Sequence, residues 1–194
     1  MNRQSPKVIV VREGVLEREG DTVIDASCSV TLVRAGDSHI IVDTGARRDS
    51  EKIVEALRAL GVRPAEVDFV VNTHFHSDHT GGNELFTNAR VCAHRLESPP
   101  VGSMVMSGPL ELLPGVEIVP TPGHTMGSIS VFVESDRRYA ICGDAIPTLA
   151  NYAQRVPPFI ASDRKLAMKS LEMIIAWADV IVPGHDGPIE NQRK

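Results

Sequence analysis

Apolar residues along the chain form short runs, separated by polar segments that contain glycine or proline. These runs predict two opening strands, at residues 8–11 and 22–24, with the charged residues 12–21 as the connection between them. The same criteria predict a hairpin with arms at residues 29–34 and 38–43. Further strands are predicted at residues 67–71, 90–93, 117–120, 128–134, 139–142 and 180–182.

Two stretches have helical rather than strand-like spacing. Residues 50–60 carry one apolar stripe, formed by Ile53, Val54, Leu57 and Leu60. Asp49 precedes this stretch and is predicted as its N-cap. Residues 163–178 form the clearest helix, with one apolar face made of Ala167, Leu171, Ile174, Ile175 and Ala178. The alternation of strands and helices predicts an α/β layered fold, and 194 residues fit a single domain over residues 1–194.

Two segments lack clear periodicity and are predicted as long loops. Residues 98–115 are rich in proline, glycine, serine and methionine, and residues 146–160 contain three prolines. Loops of this length in compact domains often carry function, but the sequence assigns no role to either loop. Tyr152 and Arg155 could meet substrate or could be surface residues without a role. The nine residues after His185 are predicted as an unattached tail.

The strand that ends at residue 71 leads into the segment with the densest candidate chemistry. His74 and His76 alternate by two, so both rings leave the same side of an extended backbone. Asp78 and His79 follow, and the glycines at 81–82 let the chain turn back toward the same place. Imidazole and carboxylate groups suit a divalent metal, zinc first and iron or manganese next. A polar turn with solvated histidines is the alternative, and the spacing favours the metal.

Three more residues of ligand type lie downstream, each after an apolar run and beside glycine: His124, Asp144 and His185. A strand end fixes such a side chain, while the neighbouring glycine opens the approach to it. Asp43 ends an earlier strand and could itself be a ligand. His39 is assigned a structural role, and His94 a structural role or a place at the substrate edge. Cys142 is assigned to packing, because no free general-base histidine accompanies it.

The order of these residues resembles the signature of the metallo-β-lactamase-fold hydrolases. The resemblance spans most of the chain and rests on His74, His76, Asp78, His79, His124, Asp144 and His185, with Asp43 upstream. Residues 25–33 and 178–185 also resemble segments of the group called metallo-β-lactamase domain-containing protein 1. The resemblance implies a four-layer αβ/βα sandwich. It also implies that Asp43 hydrogen-bonds the metal-binding loops from behind rather than binding metal.

The family pattern assigns the ligands to two divalent ions by motif position. One ion takes His74, His76 and His124, the other takes Asp78, His79 and His185, and Asp144 bridges the two. Ions held about 3.5–4 Å apart would ionise a shared water, and the bridging hydroxide would attack the substrate. Asp78 has a second, catalytic assignment, because it could orient that hydroxide or carry its proton. Substrate-binding residues stay unassigned.

Composition limits the partners and the cellular locations that we expect for this protein. The net charge of −5 gives no support for an extended nucleic-acid surface, and no apolar run approaches the ~20 residues of a membrane span. Three cysteines are too few for a disulfide framework, and the N-terminal segment lacks a signal-peptide pattern. A cytoplasmic protein without membrane association is therefore predicted. The resemblance suggests a homodimer.

The predicted activity is binuclear, metal-dependent hydrolysis of a small-molecule ester, thioester, lactone or phosphodiester. Because the sequence shows no match to the extra segments of glutathione thioesterases, RNase Z and cleavage-factor nucleases, we expect none of these three activities. A metal-dependent endoribonuclease that acts on RNA is the first alternative. A mononuclear iron sulfur dioxygenase is the second, although Asp78, His79 and His185 favour two metals. A metal-binding protein without turnover is the third, and the presence of Asp144 at the bridging position disfavours it.

Overall fold

Two sheets organise the structure, a computed structural model in which residues 5–192 are described. The first sheet contains β1 (Lys7–Arg12), β4 (Val30–Ala35), β5 (Ser38–Val42), β6 (Phe69–Val71), β7 (Arg90–His94) and β8 (Met104–Met106). Its strands lie in the order β1-β4-β5-β6-β7-β8. The pairs β1–β4 and β4–β5 are antiparallel, whereas β5, β6, β7 and β8 run parallel.

The second sheet contains β9 (Leu110–Leu113), β10 (Val116–Pro120), β11 (Ile129–Glu134), β12 (Arg138–Gly143), β13 (Val180–Pro183) and β14 (Ile189–Glu190). Its order is β14-β13-β12-β11-β10-β9, and β12 and β13 form its parallel pair. A separate two-stranded hairpin is formed by β2 (Val15–Glu19) and β3 (Thr22–Ser27). The hairpin belongs to neither large sheet and is therefore free to lie over their edges.

One helix covers the outer face of each large sheet. Helix α1 (Ser50–Ala59) buries Ile53 and Leu57 against the first sheet. Helix α4 (Arg164–Trp177) buries Leu171 and Ile174 against the second. The layers run helix, sheet, sheet, helix, so the predicted four-layer sandwich is confirmed. Two shorter helices lie in connections, α2 (Ser77–Thr80) and α3 (Leu149–Gln154).

Strict alternation along the strands decides which layer each residue joins. In β5, Ile40 and Val42 face the second sheet, whereas Ile41 faces α1. In β11, Val131 faces the first sheet, whereas Phe132 faces α4. Each fully buried aliphatic side chain of this kind contributes about 1.5–3 kcal/mol by leaving water. Because a one-residue slip would reverse every side chain, this core fixes the register of the strands and the position of their ends.

Most predicted elements are confirmed, and the hairpin arms and the long helix agree to within a residue or two. Asp49 occupies the N-cap position of α1, but its side chain makes no capping hydrogen bond. It accepts a hydrogen bond from Ser27 Oγ at 2.6 Å and pairs with Arg12 at 3.0 Å instead. The capping prediction for this side chain is therefore wrong, because a buried partner outcompetes the helix end. Asp163, in contrast, caps α4 through its carboxylate.

The loop predictions need four corrections. Residues 12–21 contain β2, residues 98–115 contain β8 and β9, and residues 146–160 contain α3. The predicted tail is also attached, because β14 pairs with β13. Each of these elements is short and partly exposed, so it lacks a long apolar run that would mark it. No helix within residues 5–192 has the length and apolar character needed to cross a membrane.

Candidate metal centre

The carboxyl ends of several strands meet at one edge of the sandwich. β6 ends before His74, β12 ends before Asp144, and β13 ends before His185. Direct backbone contact joins the sheets there, because Ile129 N–H donates to the Thr73 carbonyl at 2.9 Å. Gly143 sits beside Thr73 at a φ of +47°, and a Cβ at Gly143 would lie 2.4 Å from the Thr73 hydroxyl oxygen. Close approach of the two sheets therefore requires glycine at this position.

The first ligand group consists of three imidazole nitrogens. His74 Nε2 lies 3.0 Å from His76 Nδ1, which lies 3.0 Å from His124 Nε2. Nitrogens on a tetrahedral zinc ion are separated by about 3.3 Å, given Zn–N bonds of about 2.0–2.1 Å. The three lone pairs thus converge at a spacing that one ion can fill. These are the three residues that the family pattern assigns to the first ion.

The second group consists of Asp78, His79 and His185. Asp78 Oδ2 lies 3.8 Å from His79 Nε2 and 3.6 Å from His185 Nε2. Suitable ligand atoms of the three residues lie within 4.8 Å of one another. His79 and His185 are buried, whereas the Asp78 side chain retains 20% exposure. Asp78 is therefore the member of this group that faces the open side of the centre.

Asp144 lies between the two groups and presents one oxygen to each. Its Oδ1 is 3.5 Å from His79 Nε2 and 3.2 Å from His185 Nε2. Its Oδ2 is 3.4 Å from His124 Nε2. Gly184 makes room for this carboxylate, because a Cβ at Gly184 would lie 2.1 Å from Oδ1. The structure therefore brings all seven predicted ligands together, with Asp144 at the predicted bridging place.

The inner atoms of the centre fit bound metal ions. Within residues 5–192, His79 Nε2 and Asp144 Oδ1 are buried and have no hydrogen-bond partner. An unpaired buried polar atom costs about 1–3 kcal/mol, so a cation between these atoms would remove a penalty as well as bind. A mixed set of imidazoles and carboxylates is also the donor set that zinc, iron and manganese accept.

The outer nitrogens of the histidines are held by hydrogen bonds, which fixes the direction of each ring. His79 Nδ1 is 2.8 Å from Asp43 Oδ2, and His124 Nδ1 is 2.8 Å from the Ile160 carbonyl. His185 Nδ1 is 3.2 Å from the carbonyls of Val15 and Ser27. An Nδ1–H that donates outward leaves a lone pair on Nε2, which then faces the centre.

Asp43 supports the histidine loop from behind, as predicted. Its Oδ1 accepts from Thr73 N–H at 2.8 Å, and its Oδ2 accepts from Thr73 Oγ1 at 2.7 Å and contacts His79. The residue is buried and has a φ of +55°, a conformation that aspartate and asparagine tolerate better than most side chains. Because three groups depend on one carboxylate, Asp43 ties the loop to the end of β5.

Electrostatics favours the ligand forms of His74, His76 and Asp144, whereas anionic neighbours outweigh burial and raise the pKa of His79 and of His185. Burial, followed by the charge of His79, holds the pKa of His74 well below its ordinary value, and burial also lowers the pKa of His76. Both rings are therefore neutral near pH 7 and keep a lone pair for metal. Burial disfavours the Asp144 anion, but His185 and His79 outweigh this effect and hold the pKa of Asp144 well below its usual range.

Cys28 is a neighbour of the centre that the sequence did not reveal. Its sulfur groups with Asp43 and His79 within 4.8 Å. Burial raises the pKa of the Cys28 thiol to about 11, so the neutral thiol dominates near pH 7 and is a poor metal ligand. His79 Nδ1 in this group is already hydrogen-bonded to Asp43. The cysteine therefore packs behind the ligands and does not belong to their inner set.

The remaining candidates lie outside the centre. His39 contacts the Glu66 carbonyl, and His94 accepts from Leu96 N–H, so both have structural contacts. The Cys142 thiol is buried, with a raised pKa that burial causes, and contacts the Val182 carbonyl. Tyr152 donates its hydroxyl proton to Asn191 Oδ1. Packing, which was predicted for Cys142, is confirmed.

A cavity of about 150 Å³ opens onto the ligands. The β2–β3 hairpin forms its roof through Leu16, Arg18, Val23 and Ala26. The opposite wall comes from the segment after Asp144, through Pro147, Pro158 and Ile160. The sequence did not predict this roof, because β2 was assigned to a charged connection. Asp78 is the partly exposed carboxylate on the cavity floor.

Glu97 is a second residue that the sequence missed. Its carboxylate accepts from Phe75 N–H at 2.8 Å, inside the histidine segment of the first sheet. The other oxygen accepts from Thr125 Oγ1 at 2.7 Å, next to His124 of the second sheet. Gly127 packs so closely that a Cβ there would lie 2.4 Å from Glu97 Oε1. Glu97 therefore joins the two ligand-bearing loops.

Comparisons with known proteins agree with this geometry. The Metallo-beta-lactamase superfamily model matches residues 23–112. The chain is 35% identical to a Methanocaldococcus jannaschii protein named "Probable metallo-hydrolase", over 93% of this chain and 87% of that protein. It is 32% identical to Metallo-beta-lactamase domain-containing protein 1 of Xenopus laevis, over 93% of this chain and 80% of that protein.

Lactonases are also among the similar proteins. The chain is 30% identical to N-acyl homoserine lactonase AiiA of Bacillus thuringiensis, over 71% of this chain and 63% of the lactonase. A crystal structure of a mutant of Bacillus thuringiensis AiiA with N-decanoyl-L-homoserine bound superposes with a TM-score of 0.74 and 23% identity, over 96% of this chain and 94% of that chain. A Thermotoga maritima chain assigned to the metallo-β-lactamases superposes with a TM-score of 0.80 and 19% identity, over 96% and 100%.

Proposed function

Because the chain belongs to the metallo-β-lactamase superfamily of metal-dependent hydrolases, we propose that it uses two divalent ions, zinc foremost, to hydrolyse a small lactone, ester or thioester. The names of the lactonase relatives support a carbonyl substrate over a phosphodiester. Those relatives are longer, since the chain spans 63% of the Bacillus thuringiensis lactonase. The substrate class is therefore our proposal for this chain.

The position of Asp144 carries the two-ion proposal. A carboxylate that served a single ion would direct both oxygens, or its nearer oxygen, toward one group of ligands. Here Oδ1 faces His79 and His185, whereas Oδ2 faces His124. A dication in each group would place like charges close together, and one shared anion would offset their repulsion. This arrangement favours two ions over the mononuclear iron alternative.

A pair of such ions supplies Lewis acidity at the scissile carbonyl oxygen and lowers the pKa of an attacking water toward ~7. The protein supplies the rest. The hydrogen bonds on the outer nitrogens of His79, His124 and His185 keep their ligand nitrogens aimed inward. Leu16, Val23 and Ile160 line the approach with apolar surface, which would help to exclude bulk water once a substrate fills the cavity.

Asp78 is our candidate for proton transfer. Its Oδ2 lies 3.6 Å from His185 Nε2 and faces the cavity, so one oxygen can contact substrate while the side chain remains anchored at the centre. A carboxylate in this place can accept a proton from the attacking water and deliver it to the leaving oxygen or sulfur. This role comes in addition to its assignment as a ligand of the second ion.

The proposal is tested with purified protein reconstituted with zinc, and with the same preparation after chelation. Metal analysis should give two equivalents per chain. The zinc form should hydrolyse members of a panel of γ-lactones, p-nitrophenyl esters and thioesters. The chelated form should lose this activity and regain it when zinc is added back. Hydrolysis that persists unchanged in the chelated protein, or an absence of turnover on the whole panel, would reject the proposal.

The alternatives give different results in the same preparation. One equivalent of iron with oxygen uptake in the presence of a persulfide would indicate the dioxygenase. Chelator-sensitive cleavage of labelled single-stranded RNA would indicate the endoribonuclease. Bis(p-nitrophenyl) phosphate distinguishes a phosphodiesterase from a carbonyl hydrolase. The homodimer and the cytoplasmic location stay predictions.

A further inference from the structure

Two cavities meet at the inner face of the β2–β3 hairpin. The metal-centre cavity, of about 150 Å³, and a second cavity, of about 310 Å³, share Leu16, Arg18 and Pro147 in their walls. The second cavity extends away from the ligands toward α3, where Asn151 and Gln154 line it. A ligand that reacts at the metal centre can therefore continue past Arg18 into additional space.

The sequence of the hairpin explains why Arg18, an exposed residue, lies on the cavity side of the hairpin. Leu16 and Arg18 are two residues apart in β2, so they share one face of the strand. The pairing register shifts between Glu17 and Arg18, because Glu17 pairs with Asp25 whereas Arg18 pairs with Val23. This bulge skips Ile24 and leaves Val23 on the same inner face as Leu16 and Arg18.

Arg18 has an aromatic neighbour but no acidic one. Its guanidinium carbon lies 5.3 Å from the centroid of the Phe159 ring. Among residues 5–192, no carboxylate lies within 4.0 Å of the Arg18 guanidinium, although Glu17 and Glu19 flank it in sequence. Ring contact of this kind orients a guanidinium but leaves its N–H donors available for an anion.

The charge of Arg18 is unopposed where the second cavity begins. Its described lining contains Arg18 as the sole charged side chain, beside neutral polar and apolar groups such as Thr148, Asn151 and Val156. The carboxylates Asp78 and Asp144 line the first cavity, at the metal centre. An anionic group placed near Arg18 would therefore meet one cation and no competing carboxylate from that wall.

Phe159 also connects Arg18 to the metal centre. The next residue, Ile160, accepts a hydrogen bond from His124 Nδ1 through its carbonyl. Ile160 lines the metal-centre cavity as well. The segment that orients one ligand histidine therefore also carries the ring beside Arg18, which places the guanidinium next to the metal-centre cavity.

We propose that Arg18 forms an anion-binding subsite, so that the preferred substrate carries a carboxylate at the end remote from its scissile carbonyl. This inference rests on the proposed function and deepens it by naming a charged substrate class. The guanidinium would donate a charge-assisted hydrogen bond to that carboxylate, while the carbonyl lies at the metal centre. Neutral substrates of equal length would lack this contact.

Dicarboxylates test the subsite directly, because one carboxylate occupies the metal centre as a hydrolysis product would and the other can reach Arg18. Binding of succinate, glutarate and adipate to the zinc-reconstituted protein is compared, by calorimetry, with binding of monocarboxylates of the same chain length. We expect at least one dicarboxylate to bind about tenfold more tightly than its monocarboxylate. Equal affinity at all three lengths would overturn the inference.

Variants assign the preference to Arg18. In Arg18→Gln the tenfold preference of dicarboxylate over monocarboxylate should disappear, and Arg18→Lys should retain part of that preference. Arg155→Gln is the matched control, since its guanidinium lies 5.8 Å from the Tyr152 ring and it lines neither cavity. A preference that survives in Arg18→Gln, or is lost equally in Arg155→Gln, would overturn the inference.

A kinetic arm separates this inference from the proposed function. The wild-type zinc form is assayed on mono-p-nitrophenyl glutarate and on its neutral methyl ester, and kcat/KM should favour the anionic ester about tenfold. Turnover of both esters at equal kcat/KM would overturn the Arg18 subsite and leave the hydrolase proposal standing. No turnover of either ester or of any lactone or thioester in the panel, combined with a tenfold dicarboxylate preference, would reject the hydrolase proposal and leave the subsite standing.

Discussion

The two sheets supply the residues of the candidate metal centre in different ways. The first sheet contributes four ligands from one short segment, His74, His76, Asp78 and His79, which follows a single strand end. The second sheet contributes three ligands from three separate strand ends, His124, Asp144 and His185. One set is preassembled by local chain geometry, whereas the other exists only after β10, β12 and β13 have taken their places.

The two regions also differ in the contacts that hold their ligands in place. The segment of the first sheet has its own support from Asp43, which binds Thr73 and His79. The ligands of the second sheet depend on contacts with distant parts of the chain, since His185 Nδ1 reaches the carbonyls of Val15 and Ser27. Damage to the first region should therefore loosen several ligands together, while damage to the second should remove one contact at a time.

The largest effect is expected for Asp144→Ala, which removes the one group shared by both regions. Metal content should fall below two equivalents, and activity should fall by more than roughly a hundredfold, because even outer-shell changes cost about 10–100-fold. Metal analysis and kcat/KM report these losses. Asp68→Ala is the control, since its carboxylate is exposed and accepts from His39 N–H instead. Full metal content in Asp144→Ala would show that the bridging assignment is wrong.

The second-largest effect is expected on thermal stability when the metal is removed. Chelation would leave His79 Nε2 and Asp144 Oδ1 buried and unpaired and would end the stabilisation by bound ions. Binding at a metal concentration of 1,000 Kd contributes about 4 kcal/mol, which corresponds to roughly 10 °C in Tm for a chain of this size. Thermal unfolding followed by circular dichroism checks this. An unchanged Tm after verified metal removal would contradict the prediction.

Asp43→Asn should disturb the first region as a unit. Asparagine tolerates the positive φ of this residue, so the backbone is preserved. The new amide would place an N–H₂ group against donors from Thr73 or His79, which now share the carboxylate. We expect metal affinity to fall about 10–100-fold, with a correct fold by circular dichroism. Unaltered affinity would mean that the segment holds its ligands without Asp43.

Glu97→Ala tests the link between the two regions. It removes the acceptor of Phe75 N–H and Thr125 Oγ1, so we expect kcat/KM to fall about tenfold with a stability loss of about 1 kcal/mol. Glu97→Gln should restore most activity, because its carbonyl can accept from Phe75 and its amide can donate to Thr125. A double-mutant cycle with Thr125→Val measures the coupling, and strict additivity would refute a joint role.

The smallest effect concerns the cysteines behind the two regions. Burial raises the pKa of Cys28 and of Cys92 to about 11, so their thiolate fraction at pH 8 is roughly a hundredfold below that of an ordinary cysteine. Iodoacetamide should therefore label the native protein slowly and the denatured protein fast, as mass spectrometry can follow. After chelation, Cys28 should react before Cys142, because Cys28 contacts His79. Equal labelling rates in the native and the denatured protein would contradict the prediction of slow labelling.

The sequence by itself determined the layers and the ligand types. The arm predicted at residues 38–43 is a strand, and Ile40 and Ile41 lie on its opposite faces because a strand turns successive side chains to opposite sides. Helical spacing located α1 and α4 for a similar local reason. The predicted resemblance to the metallo-β-lactamase-fold hydrolases and the four-layer sandwich are confirmed. Each of these features depends on neighbouring residues, which a sequence displays directly.

Only the tertiary structure decided how the site is enclosed and supported. The roof formed by β2 and β3 escaped sequence reasoning, because its outer face is charged and its inner face is covered only by other segments. Glu97 likewise binds Phe75, 22 residues away, and Ile160 orients His124, 36 residues away. His185 depends on a carbonyl 158 residues distant. A local pattern cannot encode which distant groups will meet, because folding the two sheets together is what creates those contacts.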